Sequence, residues 1–142
     1  IILGEGSRRQ NLEQLSRDVG ISDRVDLPGF IDNPYPYIAS ADAVVISSRW
    51  EGLAVVLIEA LALGTPVIST DCPSGHRDVL QHGKVGSLVP IDGTNQMAQA
   101  IVKVLKFPPP KSVLQQAAKP YEIKSSTNEY LKAMGFDSPQ NL

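Results

Sequence analysis

The chain holds a single cysteine, Cys72, among its 142 residues. One thiol cannot close a disulfide within the chain, so no cystine framework supports the fold, and a reducing compartment, the cytoplasm, is the simplest setting. An excess of positive charge is also missing. Thirteen Lys and Arg stand against fifteen Asp and Glu, for a formal charge of −2, and no basic run forms an arm, so nothing here points to nucleic acid. Long apolar runs are absent too. The longest, residues 53–63, is interrupted by Glu59 and falls well short of the roughly 20 residues a membrane-spanning helix needs. There is no internal repeat and no low-complexity tract. The two histidines, His76 and His82, have no third ligand beside them, which argues against a metal site. Cys72 has no base beside it in sequence and is not expected to be a nucleophile. What remains is a chain with 42% hydrophobic residues, enough for one compact cored domain.

Strand-like and helix-like segments alternate along it. Residues 1–4, "IILG", read as the end of a buried strand whose beginning lies outside the chain, so the chain is expected to be a piece of a longer protein. Ser7 is the expected N-cap of a helix carrying Leu12, Leu15 and Val19 at helical spacing and stopping at Gly20. Residues 24–30, with Pro28, read as a short or edge strand. A short helix is expected after Pro34. Residues 43–47, "AVVIS", read as a strand buried on both faces. Residues 53–63 read as a largely buried helix ending at Gly64, followed by strand 67–70. Then come a loop from Asp71 to Gly75, a short helix over 76–82, a strand at "SLVP", and an amphipathic helix over 94–107. That helix carries Met97, Ile101, Val104 and Leu105 on one side and Thr94 as its cap. Two more helices follow Pro108-Pro109-Pro110, at 111–119 and 121–134. The domain is expected to be residues 1–134, with 135–142 a loose tail. The pattern predicts an α/β fold: a Rossmann-like, doubly wound, mostly parallel sheet with helices on both faces. Ligands of such sheets bind outside the carboxyl ends of the strands. Those ends carry Gly4-Glu5-Gly6, Gly29-Phe30-Ile31, Ser47 to Gly52, and Asp71 to Gly75.

Glu51 and Glu59 stand out. One precedes the apolar run and the other interrupts it. If the helix begins near Gly52, Gly52, Val55 or Val56, and Glu59 form one stripe, with a rise of about 10 Å from 52 to 59. The first-turn amides of Gly52, Leu53 and Ala54 would then favour an anion, and Gly52 lets it come close. The matching ligand is anionic in the middle with hydroxyls at both ends, as a nucleotide-sugar is. On spacing alone, the two carboxylates are equally readable as a helix-end residue favourable to the dipole and a half-exposed edge residue. Trp50, Tyr35 and Tyr37 could stack on a ring or simply pack the rim.

The segment "SSRWEGLAVVLIEALALGTPVIST" resembles the donor-site segment of family 4 retaining glycosyltransferases, which have the GT-B fold. Their pattern is Ser-x-x-Glu-Gly, a second Glu eight positions after the first, then Ala-x-x-x-Gly-x-Pro-Val. "LGEGSRRQNLEQL", "SDRVDLPGFIDNPYPYIASADAVVISS" and "STDCPSGHRDVLQHGKVGSLVPIDG" resemble further blocks of the family in order and spacing, so the likeness covers roughly residues 1–106. It implies that Glu51 lies by the transferred hexose as the catalytic-site carboxylate. Gly52, Leu53, Ala54 and Val55 would line the donor, with the amides of 52–54 on sugar hydroxyls and phosphates. Glu59 would hold the ribose, Phe30 and Ile31 border the base, and Gly4 and Gly6 line the same cleft. Ala54, His76 and Asp78 depart from residues the family often carries there. The family's phosphate-neutralising Arg and Lys, and its N-terminal acceptor domain, are not in this chain.

On this resemblance the chain is the donor-binding part of a retaining transferase of a hexose or N-acetylhexosamine, inactive without the N-terminal domain. Its donor would be a UDP-sugar or another nucleotide-sugar, with no further cofactor. Its acceptor would be a glycan, lipid or protein, and any peripheral contact with the cytoplasmic face of a membrane would come through the absent half. No Asp-x-Asp triplet occurs, which argues against metal-bridged diphosphate binding. The rival readings are a non-catalytic nucleotide-sugar-binding module of the same fold, a nucleotide-sugar epimerase, and a response-regulator-like domain. The last would need an acidic cluster that Gly4-Glu5-Gly6 does not supply.

Overall fold

The computed structural model of the protein describes residues 1–73 and 75–136, so residues 137–142 of the expected tail lie outside it. Its contacts divide the chain into two units, Ile1–Pro36 and the remainder from Tyr37 onward. In the first, helix α1 (Arg9–Asp18) follows the glycine loop, and a 3₁₀ turn spans Ser22–Arg24. The strands expected at 1–4 and 24–30 shrink to one parallel bridge, Leu3 with Gly29. The N–H of Ile2 donates to Asp26 O and that of Gly4 to Gly29 O, both at 2.8 Å. The ladder goes no further because Pro28 has no N–H to give and Gly29 turns to φ +85°. Ile1 and Ile2 are exposed rather than buried. Ser7 does not cap α1: Arg8 stands at the N-cap without a side-chain bond. The helix start is held instead by Arg9. Its guanidinium contacts Glu5 at 2.7 Å and Glu13 at 2.9 Å, and donates to Leu27 O at 2.6 Å.

Helix α2 (Tyr35–Ser40) runs across the division. Among the described residues, the second unit then lays down three parallel strands in the order β1-β2-β3: β1 (Val44–Ile46), β2 (Val67–Thr70) and β3 (Ser87–Val89). Val44 pairs with Val67, and Ile68 with Ser87. Helix α3 (Val55–Leu63) links β1 to β2. Helix α4 (His76–Val79) and a 3₁₀ turn at Gln81–Gly83 link β2 to β3. The helix expected over 76–82 therefore ends at Val79, where Gln81 and His82 take positive φ. Helices α5 (Thr94–Lys106), α6 (Lys111–Ala118) and α7 (Ile123–Ala133) complete the unit.

β2 is the centre, and all four of its residues are buried. Its alternation feeds two cores. Val67 faces a cluster with Leu57, Leu61, Val79 and Leu114 from α3, α4 and α6, and with Leu80 at the end of α4. Ile68 faces a second cluster with Val89 and Val104, packed by Met97, Ala100 and Ile101 of α5. Helices thus cover both faces of the sheet, each fully buried Leu or Val contributing about 1.5–3 kcal/mol. β1 departs from the sequence expectation. Val45 is exposed and Val44 half-buried, because β1 is an edge strand here and α5 lies over β2 and β3. Leu105 is likewise exposed, on the outer side of α5. Thr94 is that helix's first residue, not its cap, which is Gly93.

The end of α3 is set by Gly64 at φ +76°. Its N–H donates to Leu61 O and that of Thr65 to Ala60 O, closing the helix in a Schellman turn. A Cβ at position 64 would sit 3.1 Å from Lys111 Cβ, so this glycine also lets α6 approach. Leu114, Ala117 and Ala118 of α6 bury against the α3 side of the sheet.

Candidate functional site

In the second unit the carboxyl ends of β1 and β3 open into loops 47–54 and 90–93, and β2 leads into the segment that begins at Asp71. Residues 48, 51 and 70 tie the first to the sheet. Thr70 Oγ1 donates to Ser48 O, and Ser48 Oγ donates to Glu51 Oε1 at 2.7 Å. Glu51 is thereby oriented while remaining exposed. Leu53 leans on the next loop: a Cβ at Gly75 would lie 3.1 Å from its Cδ1. Ala54 is buried, with φ −75° and ψ 85°.

That backbone angle corrects the expected helix start. α3 begins at Val55, with Ala54 as N-cap and no side-chain cap bond. Gly52, Leu53 and Ala54 form the loop leading in, so the first-turn amides are those of Val55, Val56 and Leu57. The Leu57 N–H donates to Ala54 O at 3.0 Å. The amides of Val55 and Val56 have no partner four residues back within the helix, and the positive end of the helix dipole lies there. Glu59 then stands one turn above Val55, about 6 Å along the axis instead of two turns away. It shares the outer face with the exposed Val55 and Ala62, while Leu57, Ala60 and Leu61 take the inner one. A half-buried carboxylate in an apolar helix is thus explained by face: Glu59 sits on the side the core does not use. Gly52 has nothing within 4 Å of where a Cβ would be, and its backbone is outside the left-handed region.

The remaining predicted residues lie in the first unit. The bond between Gly4 and Gly29 brings the Gly4–Gly6 loop beside the segment carrying Phe30 and Ile31. Phe30 is exposed and Ile31 half-buried. Gly4 needs its glycine for φ +112°, whereas Gly6 has open space and no such angle.

Three features of the second unit escaped sequence reasoning. Arg49 Nη2 pairs with Asp92 Oδ1 at 2.9 Å, joining the loop after β1 to the loop after β3. Arg77 pairs with Asp71 after β2. Finally, His76 is fully buried, with Nδ1 at 2.8 Å from Ser69 Oγ, 3.1 Å from Thr70 O and 3.4 Å from Cys72 Sγ. Cys72 therefore does have an imidazole beside it, but both side chains are buried beneath the rim. The proximity of a Thr carbonyl, which only accepts, favours the tautomer with the proton on Nδ1. Among the described residues no three His, Cys, Asp or Glu side chains converge as metal ligands would, and no helix is long and apolar enough to cross a membrane. Two shallow concavities, of about 440 and 390 Å³, lie away from the rim, at Gln81, Val85 and α6, and on the outer side of α5.

The sequence profile of the family described as "Glycosyl transferases group 1" matches residues 1–106. The chain belongs to the group 1 glycosyl transferases. This group 1 chain is 37% identical over 106 residues to the N-acetylgalactosamine-N,N'-diacetylbacillosaminyl-diphospho-undecaprenol 4-alpha-N-acetylgalactosaminyltransferase of Campylobacter jejuni, covering 75% of the chain and 29% of that protein. Its fold matches the apo lipopolysaccharide outer core galactosyltransferase WaaB with a TM-score of 0.83 and 24% identity, over 94% of this chain and 40% of that one. It also matches a point mutant of Staphylococcus aureus TarM, solved with fondaparinux, alpha-GlcNAc-glycerol and UDP. There the TM-score is 0.78 and the identity 23%, over 96% of this chain and 28% of that one. The architecture is the Rossmann-like layer of GT-B glycosyltransferases. The chain spans about two- to three-tenths of the length of curated relatives it matches.

Proposed function

We propose that this chain is the nucleotide-sugar-binding part of a retaining glycosyltransferase that transfers a hexose or N-acetylhexosamine from a UDP-sugar. The observation that carries the proposal is the mouth of α3. Glu51 is fixed by Ser48 before the helix, the amides of Val55 and Val56 open its first turn, and Glu59 stands one turn above them. A diphosphate seated over those amides meets N–H donors and the positive end of the dipole, and keeps clear of both carboxylates. Glu59 accepts hydrogen bonds from the ribose hydroxyls, and Glu51 from the hexose. As the sugar bond breaks, negative charge grows on the departing diphosphate, and fixed amide dipoles stabilise it without reorganising. The acceptor, a glycan, lipid or protein, and any contact with the cytoplasmic face of a membrane, are assigned to the rest of the protein. UDP is the favoured nucleotide because TarM, which has this fold, was solved with it.

Titration of the labelled chain with UDP checks this. The amide signals of Val55, Val56 and Leu57 should move, together with those of Gly52 and Leu53. Silence there at millimolar UDP would falsify the proposed seat. Glu59→Ala should weaken UDP binding by about 1.5–3 kcal/mol through the lost ribose bonds.

A further inference from the structure

The rim of the second unit is crowded with acid. Glu51, Glu59, Asp71 and Asp92 all lie on α3 or on the loops at the strand ends. Acid around the seat opposes a diphosphate, and a cation close by would offset that repulsion and add to what the two amides supply. Among the described residues, the arginines on those loops and on the first turn of α4 are Arg49 and Arg77. They are not equivalent. Arg77 holds Asp71 with side chains 55% and 27% exposed, the less open of the two pairs. Arg49 holds Asp92 with both side chains about two-thirds exposed (65% and 66%), the kind of pair that contributes little to stability and gives way to a better partner. Geometry favours Arg49 as well. β2 lies between β1 and β3, so a guanidinium carried on the β1 loop and bonded to the β3 loop reaches across the carboxyl end of the central strand. It is three residues from Gly52, and its near neighbour Glu51 is already engaged by Ser48.

We infer that Arg49 is a diphosphate-binding residue held in reserve by Asp92. When the nucleotide enters, the guanidinium trades one carboxylate oxygen for phosphate oxygens, which its planar fork can engage in pairs. Asp92, on the left-handed backbone of the β3 loop (φ 60°), competes for it in the empty site. The inference rests on the proposed nucleotide seat. It adds to that seat a residue that senses phosphate and is indifferent to the base and ribose.

Calorimetry with UDP and with uridine separates the two. Arg49→Gln should weaken UDP binding by about ten- to a hundredfold and leave uridine binding as in the wild type. Asp92→Asn, which releases the guanidinium, should bind UDP at least as tightly as the wild type. Equal weakening of UDP binding by both variants would make the pair a mere latch between loops and overturn the inference. So would an Arg49→Gln protein that binds UDP normally, or one that loses uridine and UDP alike. Thermal melts of both variants guard against misfolding, and an exposed pair predicts melts close to wild type. If the wild type binds neither ligand, the nucleotide seat itself is wrong, a result distinct from a normal wild type with an unaffected variant.

Discussion

Glu59 was legible in the sequence as an anomaly, but its meaning was not. Spacing alone could not say whether it points inward, where an unpaired charge costs several kcal/mol, or along the outer face with Val55 and Ala62. The structure puts it on the outer face. Gly52 is a sharper case. Space around it is open and its backbone is one any residue adopts, so the fold has no use for its lack of a side chain. Gly52→Val is therefore expected to leave Tm within about 2 °C of wild type while abolishing UDP binding, because a branched side chain would occupy the diphosphate's approach. Parallel losses in a melt and in a binding isotherm would mean that this glycine serves only the turn. Tyr121 carries a prediction about pH. Burial first, and the Asp78 carboxylate second, raise its pKa above the ordinary 10.0. The folded chain therefore holds this proton more tightly than the unfolded chain. Stability from that source is whole below pH 10 and drains away as pH climbs from 10 through the raised folded value. Tyr121→Phe should flatten the alkaline limb of a denaturation curve measured between pH 9 and pH 11; superimposable limbs would assign the decline to other groups. The Arg49–Asp92 pair had no sequence signal, since 43 positions separate its members and only the strand order makes them neighbours.

Among the elements, β2 and the body of α3 were readable because composition and burial agree there: "VIST" is buried throughout and Leu57, Ala60 and Leu61 form an inner stripe. Boundaries were readable where a glycine or proline enforced them, as at Gly64. They failed where tertiary contacts decided. The start of α3 moved from Leu53 to Val55 because Ala54 is drawn into the core and Leu53 packs toward Gly75, fixing Ala54 outside the helical region. The strand at 43–47 was given two buried faces on composition, but as the edge strand of the sheet it leaves Val45 exposed. α6 was foreseen as a helix, yet its task was hidden. It seats α3, whose first turn forms the proposed anion site. Leu114, with no exposure, is the centre of that seat. Leu114→Ala should cost about 2–5 kcal/mol in urea unfolding. A cost below about 1 kcal/mol would show that α6 rests on α3 without supporting it.

For the whole molecule, the family match ends at residue 106 but the fold does not. Leu114, Ala117 and Ala118 belong to the same core as Leu57 and Leu61, and the likeness to WaaB runs over 94% of the chain. The doubly wound fold class was legible from the alternation of segments. The division into two units was not, because no composition shift marks Pro36. Under the proposed division of labour, the isolated chain should bind UDP yet release no sugar from a UDP-hexose onto any acceptor, with transfer requiring the rest of the protein. Turnover by the chain alone, followed as acceptor-dependent UDP release, would refute that division.

Position 64 closes off substitution twice over, by its backbone angle and by the nearness of Lys111. Any survey of tolerated variants would find it as intolerant as a reacting group, although it never meets a substrate. In this domain, then, invariance is a poor guide to chemistry. Gly64 would rank beside Glu51 for reasons of architecture, and only an assay that scores assembly apart from turnover would tell the mason's stone from the tool.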